Sequence, residues 1–400
     1  MSLAEEIVRV AAKGDGVTTS GKHVAFAAPG DRVREDGTLE AGPHHAVPPC
    51  RHFGTCGGCQ LQHLDEETLA RFVAERVANA ATGQGLVPEA ITPPHLSPPN
   101  SRRRATLHAQ RVGGRILVGF RAAGSHTIVD MLECYVLAPE LFALVAPLRR
   151  MLARQGGRLA VDIEMALAEQ GVDVGIKGLK VEGLAATEAM LDFARENGLA
   201  RLTIDQGYGP EASWEPEPVT VRLGGASVPL PPGAFLQATA DGEATLIAAA
   251  REWLAGVPTV ADLSSGLGTF AFELAGSQTK VLAAEASRDA HFACKLAAGR
   301  AQVPVHAMHR DLFRNPFQPD ELNRFAAVLI DPPRAGAREQ VVHIAQSTVE
   351  LVVYISCNPS SWSRDAVTLV EGGYRLAELR PVGQFRWSSH VELASLFVRG

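Results

Sequence analysis

Two apolar runs near the end of the chain constrain its fold most. Ala326 to Ile330 is followed by Asp331-Pro332-Pro333-Arg334, and Val349 to Ile355 by Ser356-Cys357-Asn358-Pro359. Each run is short, continuously apolar and stopped by strand-breaking residues, the pattern of a strand buried on both faces. A helical pattern over 338–346 lies between them. Parallel strands are joined only through such a crossover, so both runs end on one rim of a sheet, where α/β proteins bind ligands. Asp331 and Cys357 therefore belong to the same rim.

The alternation extends through 231–400. Strand patterns at 259–262, 280–285, 303–307, 326–330, 349–355, 374–379 and 392–398 alternate with helical ones at 269–275, 288–299, 338–346 and 362–371, after a leading helix at 239–254. This implies βαβ units and an α/β, Rossmann-like fold. Four segments are expected. Residues 1–47 are glycine-punctuated, with short strands at 8–11, 23–27 and 32–34, too little chain for a core of their own. Residues 48–95 hold a cysteine loop and a helix over 65–81 capped by Asp65. Residues 96–230 read as a mixed α+β unit, with a hairpin over 103–130 turning at Gly113-Gly114, strands at 158–167, 171–177, 200–205, 219–223 and 226–230, and a helix at 184–197. Residues 231–400 form the last domain.

Apolar residues make up 46% of the chain, enough for a packed interior. Neither an eighteen-residue apolar run nor a basic leader is present, so neither a membrane span nor a secretion signal is expected. Six irregularly spaced cysteines point to a reducing compartment, the cytoplasm. The net charge of −6 does not favour nucleic acid, but it is uneven. Between Ser97 and Thr127 stand Arg102, Arg103, Arg104, Arg111, Arg115 and Arg121 with no acid among them. They read as a local basic face or as a solvated hairpin surface.

The segment 260–269, Val-Ala-Asp-Leu-Ser-Ser-Gly-Leu-Gly-Thr, leaves a strand and enters a helix. Gly266 and Gly268 permit a tight turn and close backbone approach. Glu285 ends the next strand, where an acid accepts both hydroxyls of an adenosine ribose. The full dinucleotide fingerprint is absent, which favours an adenosine cofactor without pyrophosphate, such as S-adenosylmethionine, over NAD or FAD. Asp311, after the third strand, reads either as a partner for the adenine amino group or as a loop-capping acid.

Asp-Pro-Pro-Arg is a stiff strand end suited to holding a planar substrate. It resembles the Asn/Asp-Pro-Pro loops that hold extrahelical bases in methyltransferases acting on exocyclic nitrogen. A nitrogen needs no thiol to be alkylated; carbon 5 of a pyrimidine does. Thiolate addition at carbon 6 turns carbon 5 into a nucleophile, and a base must then remove the surplus proton. Glu392, in Ser389-His390-Val391-Glu392-Leu393, is the candidate base, and His390 is its rival.

Cys50, Cys56 and Cys59 lie on one loop with Gly54, Gly57 and Gly58, and Cys134 can supply a fourth thiolate. Four thiolates suit Zn²⁺ or a [4Fe–4S] cluster; one tight triplet plus a distant fourth favours the cluster, in a structural role. Cys294, within a helical pattern, reads as core.

Taken together, CRHFGTCGGCQLQH at 50–63, Cys134, FLQAT at 235–239, DLSSGLGTF at 262–270, Glu285, DPPRAG at 331–336, SCNP at 356–359 and HVEL at 390–393 resemble the uracil-5 RNA methyltransferases, specifically the cluster-bearing 23S ribosomal RNA type. The resemblance covers nearly the whole chain. It implies a class I methyltransferase domain at 231–400, Cys357 as nucleophile and Glu392 as proton-abstracting base. It implies Gln237, Ser264, Thr269, Glu285, Asp311 and Asp331 as S-adenosylmethionine-pocket residues, Asp331 also within reach of the uracil. It further implies a [4Fe–4S] cluster on Cys50, Cys56, Cys59 and Cys134, and 23S ribosomal RNA before full ribosome assembly as partner, with no membrane and no obligate protein partner. The chain departs from the family at Ser264-Ser265, where an aromatic residue and Cys are common, at Thr239, where Asn is common, and in 1–47, a shortened form of the RNA-binding β-barrel. Transfer RNA as substrate, a non-catalytic iron–sulfur RNA-binding or assembly factor and, more remotely, a dinucleotide enzyme are the rival readings.

Overall fold

A computed structural model describes residues 4–400. The last sheet runs, in spatial order, Val305–His309, Lys280–Glu285, Thr259–Leu263, Ala327–Ile330, Leu351–Ser356, Glu392–Arg399 and Tyr374–Gly383, whose outer edge is covered by the short strands Ala90–Ile91 and His95–Leu96. The first five strands are parallel and Glu392–Arg399 runs antiparallel to both its neighbours. The strand order reverses direction between Thr259–Leu263 and Ala327–Ile330, which opens a crevice beyond their carboxyl ends. The βαβ expectation thus holds, and the two opening runs pair with each other, Ile330 opposite Tyr354.

Local chemistry explains where the elements stop. Asn358 caps the helix Pro359–Glu371, its side chain accepting from the Ser360 amide at 3.2 Å, and Pro359 occupies the first helical position, where no N–H is needed. The Ser-Cys-Asn-Pro sequence is therefore a strand end joined to a helix start, with Cys357 on the corner. Asp65 caps Glu66–Thr82 by accepting from the Thr68 amide at 2.8 Å, as expected.

The central sheet runs Pro210–Trp214, Arg201–Asp205, Gly171–Lys177, Ala160–Ala168, Arg104–Val112 and Arg115–Gly119. The helices Val145–Ala153 and Leu184–Glu196 bury one of its faces. The first of these helices had no counterpart in the sequence reading, nor did the short helix Pro139–Ala143 before it. The hairpin Thr220–Leu223/Ala226–Pro229, read with the central unit, packs instead into the core of the last sheet. A Cβ on Gly224 would lie 2.1 Å from the Phe272 carbonyl oxygen, so the hairpin turn sits directly on the helix Thr269–Leu274.

Residues 5–40 form a five-stranded antiparallel sheet around Ile7, Ala27 and Val33. Its core is small, and it docks through Val10 and Ala28 onto the cluster that holds Leu61, Leu64 and Phe72. None of the described helices is long and apolar enough to cross a membrane.

One buried ion pair joins two neighbouring strands of the central sheet, and its arginine also holds the segment that leads into the last domain. Arg201 donates to both oxygens of Asp173, at 3.0 and 2.6 Å, and to the Leu230 carbonyl at 2.8 Å. Removing one partner leaves a buried charge unpaired. Asp173→Ala is expected to lower the unfolding free energy by about 3–5 kcal/mol, read as a fall in urea midpoint. The double replacement Asp173→Leu/Arg201→Met should recover most of that loss.

Candidate functional site

Beyond the strand ends lies one cavity of about 600 Å³, within the range of small-molecule sites. It is lined by Gln237, Ser264, Thr269, Glu285, Asp331, Cys357 and Glu392. Seven of the eight residues expected at the reaction and cofactor site therefore meet in one place. Asp311 does not line it. Its Oδ1 accepts from the amides of Phe313 and Arg314 at 3.0 and 3.3 Å, so it caps a turn, while its neighbours Arg310, Leu312 and Phe313 form the wall. His390 also stands outside. It is exposed and contacts Arg334 through Nδ1 at 3.2 Å.

The cofactor end is shaped by backbone. Ser264 takes a left-handed conformation (φ 64°), unusual for a side-chain-bearing residue, and so turns the chain at the end of its strand. Gly268 has φ 91°, and a Cβ there would lie 2.8 Å from the Phe272 ring and 3.0 Å from Cys294 Sγ. Cys294 is buried beneath this turn and packs as core. Glu285 accepts from the Gly266 amide at 2.8 Å and the Ser287 amide at 2.7 Å. A carboxylate has lone pairs left for two hydroxyl donors, so the acid is fixed in direction without being used up. Leu267, Phe270, Ala290, Leu312 and Phe313 give the same end its apolar walls. These residues fit an adenosine-bearing methyl donor. Thr239 still caps the following helix, its hydroxyl accepting from Gly242 N at 3.1 Å and meeting Ser97 Oγ at 2.8 Å.

The reactive end is acidic and largely enclosed. Burial raises Asp331 to about 7. Burial, then the nearby Asp331, raises Glu392 to about 8. Burial, with Glu392 and Asp331 beside it, lifts the Cys357 thiol to about 11, while Arg334 pulls the other way. In the free site burial therefore favours the neutral thiol of Cys357 and the protonated form of Glu392. A residue that the sequence reading missed joins the two acids. Gln384 donates to Glu392 Oε2 and, at 2.8 Å, to Gln237 Oε1, and Gln237 donates to Asp331 Oδ2 at 3.3 Å.

The arginine-rich segment does not form one basic face. Arg103 pairs with Glu243 at 2.6 Å, and Arg111 donates to the Gln155 carbonyl at 2.5 Å. Arg104 lies over the Phe235 ring, 4.6 Å from its centroid, at the cavity mouth.

Cys50, Cys56, Cys59 and Cys134 line a second, smaller and mostly apolar cavity. The loop and the segment bearing Cys134 are brought together by the Arg51 amide donating to Glu133 at 2.6 Å and the Leu132 amide to His52 at 3.0 Å. The Gly57 amide donates to the Arg121 carbonyl at 2.9 Å, and a Cβ on Gly57 would lie 2.9 Å from that oxygen. All four thiols are unpaired. Burial raises each of them, Cys59 to about 12. Among the described residues no three His, Cys, Asp or Glu side chains are gathered as ligands of one ion. Four soft donors on the walls of an apolar cavity fit a thiolate-bound inorganic centre.

The family model described as tRNA (Uracil-5-)-methyltransferase matches residues 232–399. An RNA methyltransferase of Zymomonas mobilis is 48% identical over 99% of this chain and 100% of its own. A 23S rRNA (uracil(1939)-C(5))-methyltransferase RlmD of Edwardsiella ictaluri is 32% identical over 92% of this chain and 85% of its own. The crystal structure of Pyrococcus abyssi tRNA (uracil-54, C5)-methyltransferase with S-adenosyl-L-homocysteine has the same fold, with a TM-score of 0.75 at 20% identity over 99% of this chain and 100% of that one.

An acid raised in the folded state stabilises the fold below its unfolded value and loses that contribution as pH rises through the folded one. For Glu392 the window runs from 4.5 to about 8. Glu392→Gln, which cannot ionise, should melt progressively higher than the parent as pH climbs from 5 to 8.5. The gain should be on the order of 2–4 kcal/mol at the upper end, measured by thermal unfolding across that range.

Proposed function

Because the chain belongs to the RNA uracil-5 methyltransferase family, we propose that it methylates carbon 5 of a uridine in 23S ribosomal RNA through a covalent cysteine adduct. The observation that carries this reading is the single cavity lined by the cofactor-loop residues, Asp331, Cys357 and Glu392. The ribosomal substrate is supported by the likeness to the Edwardsiella ictaluri enzyme over most of the chain and by the four cysteines.

S-Adenosylmethionine supplies an electrophilic methyl group whose bonding pair stays with sulfur. Glu285, Ser264, Thr269 and Gln237 would hold it, with Phe313 and Leu312 against its apolar surface. Cys357 releases its proton to solvent, and the thiolate sulfur bonds to carbon 6 of the uracil. The carbon 5–carbon 6 π pair moves onto carbon 5 and the adjoining carbonyl. The start of a thirteen-residue helix and the Arg334 guanidinium both favour the thiolate that burial disfavours. Once carbon 5 carries the methyl group, Glu392 takes its surplus proton. The released pair restores the ring double bond, and the carbon–sulfur pair returns to Cys357. A carboxylate raised to about 8 is a stronger base than an exposed one, provided that it is ionised. The target base must leave its stack to reach this depth.

Cys50, Cys56, Cys59 and Cys134 would hold a [4Fe–4S] cluster that fastens the loop at 50–60 to the central sheet. Iron, rather than zinc, is the expected metal. Anaerobic purification with visible absorption and metal analysis tests this, and a Cys134→Ser protein should lose the metal. The cytoplasm is the compartment that suits free thiols and an RNA substrate.

RNA carrying 5-fluorouridine should become covalently joined to the parent protein and not to Cys357→Ala, because fluorine blocks the proton loss that frees the sulfur. Mass-spectrometric mapping should show one or more 5-methyluridines missing from 23S ribosomal RNA when the gene is deleted. A loss confined to transfer RNA would transfer the reading to that substrate, and an unchanged map would refute it.

A further inference from the structure

Resting on the proton-removal step proposed above, we infer that Gln384 is a positioning residue that aims and tunes Glu392 for release of the methylated base. Gln384 follows directly on Gly383, which ends the strand beside Glu392's own. It is buried, with 1% of its surface exposed. The direction of its amide is fixed. Gln384 Oε1 accepts from the Thr239 amide at 3.3 Å, so the NH₂ group must face the other way. Its two protons then go to Glu392 Oε2 and to Gln237 Oε1. Gln237 is oriented in turn, since its oxygen is taken and its NH₂ points at Asp331 Oδ2. Two amides thus stand between the half-buried Asp331 and the buried Glu392, each presenting only N–H donors to its carboxyl group.

Three consequences follow from that geometry. Oε2 of Glu392 is engaged, leaving Oε1 as the atom free to take the carbon 5 proton. A donor on Oε2 favours the ionised form, against the burial and the charge of Asp331 that disfavour it. The other charged or ionisable groups acting on Glu392 are Asp331 and Cys357, which oppose ionisation, and Arg104, which assists it. The position is also sterically specified: a Cβ on Gly242 would fall 2.7 Å from the Gln384 Cβ, so the helix start leaves room for this side chain and no more.

Gln384→Met keeps the length of the side chain and removes the donor. Gln384→Leu likewise has no donor but is branched rather than flexible, which guards against a packing artefact if the first variant folds poorly. The expected result for both is a tenfold to hundredfold fall in turnover, the scale of a lost hydrogen bond to a charged group. The limb of the rate profile that reports the base should move to higher pH. Ordinary uridine RNA should accumulate as a methylated covalent adduct on Cys357, and trapping by 5-fluorouridine RNA should proceed as in the parent. Parent-like turnover and pH profile in both variants would overturn the inference. So would equal losses of trapping and turnover, which would mark general damage to the site. If the parent itself fails to trap 5-fluorouridine RNA, the covalent reading falls, and not merely the role of Gln384.

Discussion

Two carboxyl groups, Asp331 and Glu392, are held in one cavity against the cost of keeping charge away from water. The reactive end of the site follows from that arrangement. Their burial raises both, and with them the thiol of Cys357. Isolated buried acids would simply stay protonated. Here each is met by an amide N–H, and the amides are oriented by backbone: Thr239 sets Gln384, which sets Gln237. The helix that begins after Thr239 and the strand that ends at Gly383 are therefore parts of the electrostatic design as much as of the scaffold.

The sequence made the frame legible wherever a local rule decides the outcome. Continuous apolar runs stopped by Asp-Pro-Pro or Ser-Cys-Asn-Pro can hardly be anything but buried parallel strands, and they are. The Asp65 cap, the Gly113-Gly114 turn and the Gly266/Gly268 loop are likewise local signals. Two helices had no expectation in the sequence. Pro139 opens the first, and Pro147 stands in the opening turn of Val145–Ala153, where the missing N–H has no intrahelical partner anyway. Neither proline breaks its helix.

What stayed illegible depends on contacts between distant positions. Six arginines without a neighbouring acid left a basic face and a solvated hairpin surface both open, and neither foresaw that Glu243, 140 residues from Arg103, pairs with it. Asp311 could have faced a ligand or its own loop, and only the amides of Phe313 and Arg314 decide for the loop. Gln384 carried no motif at all. Its one sequence cue was a lone amide directly after Pro381-Val382-Gly383, eight residues before Glu392.

The last strand, Glu392–Arg399, is not an edge. It inserts between Leu351–Ser356 and Tyr374–Gly383, so the C-terminal residues of the chain complete the middle of the sheet. The strand that borders Cys357 and the one that leads to Gln384 are thus joined only through a segment that comes later than both. Neither can reach its final pairing until that segment slides between them, so the reactive corner is among the last parts of the sheet to close.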